Sequence, residues 1–238
     1  MIVYTSIVGG KDLLREDQAR GNARYLAFLE VPQPSSTWEV LPAYDRFKSA
    51  RRNSRAPKIL AHQFIDADVS IWIDGNFRLV LPPEELVARY LKNADLAVMK
   101  HPLRDCIYDA ADFCAEQRLD DPVVLHRQAQ HYLALGYPRH MGLCACGLII
   151  RRHTRAVAQF NDAWWSEYCR HSVRDQISFM FVARQTALNF AVIEAPRTFR
   201  DGKEYKSDFV EVVRHLTPQP EPMGGPAPAS ADGEAPTP

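Results

Sequence analysis

The 238-residue sequence predicts an α/β fold with a mixed, mostly parallel sheet flanked by helices. Three observations carry that expectation. Short β-branched and aromatic runs alternate with helix-length amphipathic segments along most of the chain, as in successive βαβ units. The run Val69-Ser70-Ile71-Trp72-Ile73 has the composition of a central strand and stops at Asp74-Gly75-Asn76. The segment from Gly142 to Arg151 is a continuous apolar run, as a strand covered on both faces should be.

Residues 2–8 are the first expected strand, followed by a Gly9-Gly10-Lys11-Asp12 loop. Residues 37–41 read as a second short strand. A basic segment from Arg46 to Lys58 is expected to be helical, with Pro57 kinking or breaking it. After the strand that ends at Asp74, Pro82-Pro83-Glu84-Glu85 opens a helix to about Lys92, with proline in the first turn and acids at the positive end of the dipole. Asp95–Met99 is a strand ending at Lys100-His101-Pro102. Tyr108–Arg118 and Pro122–Leu135 read as helices, the second stopped by Gly136-Tyr137-Pro138. Val157, Phe160, Trp164 and Tyr168 keep helical spacing between Thr154 and Cys169. A further helix starts near Ser172, and Phe190–Glu194 is a late strand. Residues 1–216 are expected to form a single domain. From 217 to 238 the composition turns to Pro, Gly and Ala, which cannot bury enough apolar surface to order a tail.

Lysine plus arginine and aspartate plus glutamate both total 29, giving a formal net charge of zero. Bulk charge therefore offers nothing to nucleic acid, and any anion site must be a local cluster. Five cysteines with no dense framework favour reduced thiols and a cytoplasmic location. Cys144 and Cys146 alternate onto one face of a strand, where buried small residues explain them better than a metal site. The first residues lack a basic region ahead of a long apolar segment, so no signal peptide is expected. No apolar run approaches the length of a membrane span.

Five local features bear on chemistry. Thr5 and Ser6 end the first strand ahead of a glycine-containing loop that can admit a nucleotide. Arg51, Arg55 and Lys58 fall on adjoining helical positions, able to grip a diphosphate; the competing reading is a solvated basic face. Asp74 and Asn76 would project together from the carboxyl edge of the sheet, offering oxygens to a divalent cation; the competing reading is a tight turn. His101, Arg104 and Tyr108 follow another strand and could meet a hydroxylated acceptor, or His101 could simply cap a turn. Ser172 followed by Asp175 resembles a capping box. Yet Arg174, Asp175 and Gln176 in a first helical turn could also orient sugar hydroxyls. His215 is a lone candidate third metal ligand or a surface histidine.

These features, taken in order with Tyr4 to Gly10, Arg52 to Lys58, Trp72 to Asn76, His101-Pro102, Gly142-Leu143 and Arg174 to Phe179, resemble a glycosyltransferase-like family. That family includes plant mucilage-related and pollen-turgor-related proteins and many bacterial members. The resemblance spans roughly Ile2 to Leu216. It implies a GT-A-type fold, a nucleotide-sugar donor, a glycan or lipid-linked acceptor, and Mn²⁺ or Mg²⁺ as cofactor. It places Asp74 and Asn76 at the Asp-x-Asp-like metal and diphosphate motif, with Asn in place of the second Asp. His215 would be a late metal ligand. Asp175 and Gln176 match a late Asp-Gln element near the reacting sugar carbon, for which retention of configuration is the mild expectation. Thr5, Ser6, Arg51, Arg55 and Lys58 would hold the nucleotide sugar. Alanine at Asp74 or Asp175 is expected to abolish transfer without unfolding the chain. The alternatives are a nucleotide-binding protein without catalysis and a lipid-amidase-like hydrolase, for which no nucleophile-plus-base set is found.

Overall fold

A computed structural model describes residues 1–10, 12–194, 198–200, 204–213 and 215. The 217–238 tail lies outside the described residues. Strands β1 (Ile2–Ile7), β2 (Arg24–Leu29) and β3 (Glu39–Pro42) come first, then α1 (Ala50–Ile59), α2 (Ala61–Phe64), β4 (Val69–Ile73) and β5 (Phe77–Leu79). Helix α3 (Pro83–Leu86) runs into a π-helical turn at Val87–Leu91. Next are β6 (Leu96–Lys100), α4 (Ile107–Glu116), α5 (Pro122–Ala134), β7 (Cys144–Arg152), α6 (Arg155–Arg170) and α7 (Asp175–Gln185). Strands β8 (Phe190–Ile193), β9 (Thr198–Arg200), β10 (Glu204–Lys206) and β11 (Val210–Val212) follow.

The main sheet has the order β3-β2-β1-β4-β7-β6-β8. Every neighbouring pair is parallel except those made by β7, which runs against both β4 and β6. This is the mixed, mostly parallel α/β sheet expected of a GT-A-like fold. Alternation along β4 sorts its side chains onto two cores. Trp72 joins one with Tyr4, Phe160, Trp164 and Phe179, under α1, α4, α6 and α7. Ile71 and Ile73 join the other with Trp38, Leu86, Phe209 and Val210. That second face is covered partly by an antiparallel sheet of order β5-β11-β10-β9.

Strand β2 escapes a reading by pattern because Arg-Tyr-Leu-Ala-Phe-Leu has no β-branched residue and no alternation. The small sheet escapes because its strands are three residues long. Helix α1 begins at Ala50 rather than Arg46, since the Ser49 side chain caps it by accepting from the Arg52 N–H. Pro57 does not break α1. It falls in the last turn, where its missing N–H removes one bond just before the helix ends. The capping-box reading of Ser172 is also corrected: α7 starts at Asp175 behind Arg174, and the Ser172 hydroxyl donates to Asp120 Oδ2 at 2.6 Å. Among the described residues no helix is long and apolar enough to cross a membrane.

Candidate functional site

The carboxyl ends of β1, β2 and β4 lie at one edge of the sheet, beside the start of the antiparallel β7. Three adjoining clefts form a groove along that edge. The first, about 250 Å³, is largely apolar, with Ile7, Leu13, Leu14, Leu29 and Val31 around Asp12 and Gly10. The second, about 80 Å³, shares Ile7 and Asp12 with it and adds Ser6, Asp74, Asn76 and His215. The third, about 180 Å³, shares Asp74 and Arg55 with the second and adds Arg51, Lys58, Arg174, Asp175 and Gln176. The groove thus passes from apolar, through mixed donors, to a charged end rich in arginine.

The charged end is built around Lys58, whose side chain is only 1% exposed. Its Nζ lies 2.6 Å from Asp175 Oδ2 and 3.3 Å from Asp74 Oδ1, with the Trp72 ring centroid 5.6 Å away. Trp72 Nε1 donates to Asp74 Oδ1 at 2.9 Å. Arg55 Nε lies 3.2 Å from Asp175 Oδ2. Burial pushes both carboxylates up, but Lys58 and Arg55 outweigh it and hold Asp74 and Asp175 below the usual carboxylate range. Asp175 is further fixed through its backbone carbonyl, which accepts from Trp164 Nε1 and the Ser178 hydroxyl. Arg51 is pulled down by burial and by the Arg174 and Arg55 charges beside it. With Arg51, Arg55, Lys58 and Arg174 against two carboxylates, this end is net cationic and suited to an anion.

The middle cleft holds the three metal candidates. Asn76 Nδ2 donates to the Val213 carbonyl at 3.0 Å, which orients its amide. His215 Nδ1 is 2.7 Å from Asp12 Oδ2, leaving Nε2 for another partner. Gly75 between the candidates is in close quarters, since a Cβ there would come 3.0 Å from Ile7 Cγ1.

Asp74, Asn76, His215, Ser6, Arg51, Arg55, Lys58, Arg174, Asp175 and Gln176 are therefore brought to one groove. Thr5 is not: it is 1% exposed inside β1 and lines none of the three clefts. The acceptor trio is engaged elsewhere. His101 Nδ1 accepts from the Leu103 and Arg104 N–H groups, which is the turn-capping role. The Arg104 guanidinium lies 3.7 Å over the Phe113 ring, and the Tyr108 hydroxyl donates to the Tyr137 carbonyl at 2.5 Å. Tyr108→Phe is accordingly expected to cost about 1–3 kcal/mol by leaving a buried carbonyl unpaired, with transfer unchanged at a temperature where both forms are folded. Chemical denaturation beside an activity assay checks this; a selective loss of activity would restore Tyr108 to the acceptor site.

Sequence reasoning missed the apolar end of the groove. Leu13 and Leu14 sit in a loop without a period, and Leu29 ends the unanticipated β2. Asp12 lies two residues beyond the glycines and gave no signal without its partner, 203 residues away. Cys144 and Cys146 are buried on one face as free thiols, burial pushing Cys144 up to about 12.

The fold is thus a mixed, mostly parallel α/β sheet with a charged groove at its carboxyl edge. The chain belongs to the TOD1/MUCI70 glycosyltransferase-like domain family, whose model matches residues 35–215. It is 30% identical over 162 residues to the probable hexosyltransferase MUCI70 of Arabidopsis thaliana, a match covering 63% of this chain and 28% of that protein. The chain thus aligns with little more than a quarter of that relative's length. Among solved structures, the WbbM bifunctional glycosyltransferase is similar at a TM-score of 0.44 and 11% identity, over 81% of this chain and 38% of that one. Mouse xyloside xylosyltransferase 1 is similar at 0.42 and 11%, over 81% and 84%. At that level of structural likeness the family assignment rests on sequence, and it makes residues 35–215 a glycosyltransferase-like domain.

Proposed function

We propose that the chain transfers a hexosyl group from a nucleotide-sugar donor to a hydroxyl of a glycan or lipid-linked acceptor. The observation that carries this is the order of the groove. The apolar first cleft suits a nucleoside, the middle cleft its diphosphate, and the arginine-rich third cleft the sugar and the reacting bond. Arg55 lines both the middle and third clefts and Lys58 lines the third beside Asp74, and the two would meet the diphosphate by charge-assisted hydrogen bonds.

The middle cleft also fits a divalent cation. Asp74 offers a carboxylate oxygen, Asn76 an amide oxygen and His215 an imidazole nitrogen, and all three line the same space. Mn²⁺ accepts such a mixed set, and Mg²⁺ would take the oxygens with water. Asp12 on His215 Nδ1 and Val213 on Asn76 Nδ2 orient two of these donors, as partners behind metal ligands do. A cation there would neutralise charge on the departing diphosphate as a Lewis acid.

Asp175, held ionised by Lys58 and Arg55, would stabilise positive charge developing at the anomeric carbon. Gln176 and Arg174 would orient the sugar hydroxyls. The third cleft's two carboxylates, Asp74 and Asp175, both lie below the usual range. Retention of configuration is the reading carried over from the likeness of Asp175 and Gln176 to the late Asp-Gln element.

The test is release of nucleotide from UDP-, GDP-, ADP-, CMP- and dTDP-sugars with Mn²⁺ or Mg²⁺ and a mixed glycan acceptor. One donor is expected to be consumed, and Asp74→Ala is expected to stop it. Failure to consume any of them, with the protein folded, would contradict the proposal.

A further inference from the structure

A cluster of side chains able to ligate a metal lies away from the groove. Cys106, Asp109 and His140 each bring a ligand atom to within 4.8 Å of the others, and they are the only such His/Cys/Asp/Glu group found among the described residues. None of the three lines the groove. Cys106 caps the start of α4 without a side-chain cap bond, and Asp109 lies three residues on, in the first turn of that helix. The i, i+3 spacing puts thiol and carboxylate on one face. His140 comes from the segment between α5 and β7 and has a left-handed backbone, with φ of 55°.

We propose that Cys106, Asp109 and His140 bind a borderline-soft divalent ion, zinc above all. A thiolate, an imidazole and a carboxylate are ligands zinc takes. They differ from the oxygen-dominated donors of the groove, which suit Mn²⁺ or Mg²⁺. The surroundings fit the ion in two ways. Asp105 Oδ1 lies 2.9 Å from His140 Nδ1, the carboxylate–imidazole contact that leaves Nε2 for a metal and fixes its direction. The charges also balance. Thiolate, Asp109 and Asp105 oppose a divalent ion and Arg139, whose Nη1 is 3.2 Å from Asp109 Oδ1. Binding would release the Cys106 thiol proton to solvent, with no change of oxidation state. Three protein ligands leave a fourth position for water.

The centre would join two segments that flank the charged end of the groove. His101, which opens the segment leading to Cys106, already donates its backbone N–H to the Leu143 carbonyl, just past His140. Ala145, two residues further, lines the third cleft. A metal here would therefore stiffen the rim beside the proposed sugar end without entering it.

Co²⁺ titration of the metal-stripped full chain tests the site, because cobalt bound to thiolate gives a near-ultraviolet charge-transfer band that carboxylate and imidazole ligation lacks. One equivalent is expected to produce the band, and Zn²⁺ should displace it. Cys106→Ser should abolish the band. His140→Ala, at an exposed position, and Asp109→Asn, at a half-buried one, should weaken binding at least tenfold without unfolding the chain. Asp105→Ala should weaken it about 10- to 100-fold, as loss of an orienting partner does. Cys146→Ser, which removes the thiol in the third cleft, should leave the band intact. Absence of the band from the wild-type chain, or a band that survives unchanged in His140→Ala, would overturn the proposal.

Discussion

Lys58→Met is expected to destabilise the fold by about 3–5 kcal/mol, the usual cost of removing one partner from a buried ion pair. Lys58 is almost fully enclosed, while the side chains of Asp74 and Asp175 are 26% and 12% exposed. Methionine fills similar space but leaves two carboxylates facing each other with Arg55 as the remaining close cation. The pH dependence follows from the direction of the shifts. Both carboxylates lie lower in the folded chain than in the unfolded one. Their contribution is therefore fully present above about pH 4, the unfolded value, and is lost as pH falls through the folded values. In Lys58→Met the folded values rise toward the unfolded one, so less of this contribution is present near neutrality and less is lost in acid. The gap between variant and wild type should be widest near neutrality and narrow in acid. Urea denaturation across that range checks this; a gap under 1 kcal/mol, or one constant from pH 7 to pH 3, would contradict the pairing.

Asp175→Asn is expected to lower the rate of transfer by about 100- to 1,000-fold, the scale seen when one preorganised electrostatic group is removed. The isostere keeps the backbone that Trp164 and Ser178 hold and an oxygen able to accept from the Gln176 N–H. What it loses is the negative charge beside the proposed anomeric carbon. Nucleotide affinity should change far less than the rate, and in the direction of tighter binding, because Asp175 pairs with the Arg55 and Lys58 that would meet the diphosphate. Steady-state kinetics beside nucleotide binding separates the two, and an undiminished rate would remove Asp175 from the chemistry. The structure also revises an expectation about alanine at this position. Asp175→Ala would leave Lys58 with Asp74 as its only carboxylate partner at 3.3 Å, so it should cost stability as well as activity.

Much of the groove could be read from residue order because its parts are local. Asp74 and Asn76 follow a strand whose composition is unambiguous, and Arg51, Arg55 and Lys58 share a helix face. Asp175 begins a helix anchored by Ile177, Phe179 and Phe181. What could not be read is long-range. Nothing local shows that Lys58 sits between two carboxylates 16 and 117 positions away, or that Asp12 meets His215. The acceptor trio misled because His101, Arg104 and Tyr108 are the residue types of a binding loop. In the fold they do structural work: a turn cap, a cation over an aromatic ring and a buried hydroxyl. The antiparallel direction of β7 was also hidden, since a run buried on both faces reads alike in either direction.

The central claim is that the three clefts form one donor site. Its most direct test is the thermal stability of the wild-type chain against a panel of nucleotide sugars, with and without Mn²⁺. A ligand that binds only the folded state stabilises it by about 2.7 kcal/mol at a hundredfold excess over Kd. The account predicts a rise in Tm with one nucleotide base, larger with Mn²⁺, and a loss of the Mn²⁺ increment in Asp74→Asn. A panel in which no nucleotide moves Tm, at concentrations well above ordinary donor affinities, would contradict it.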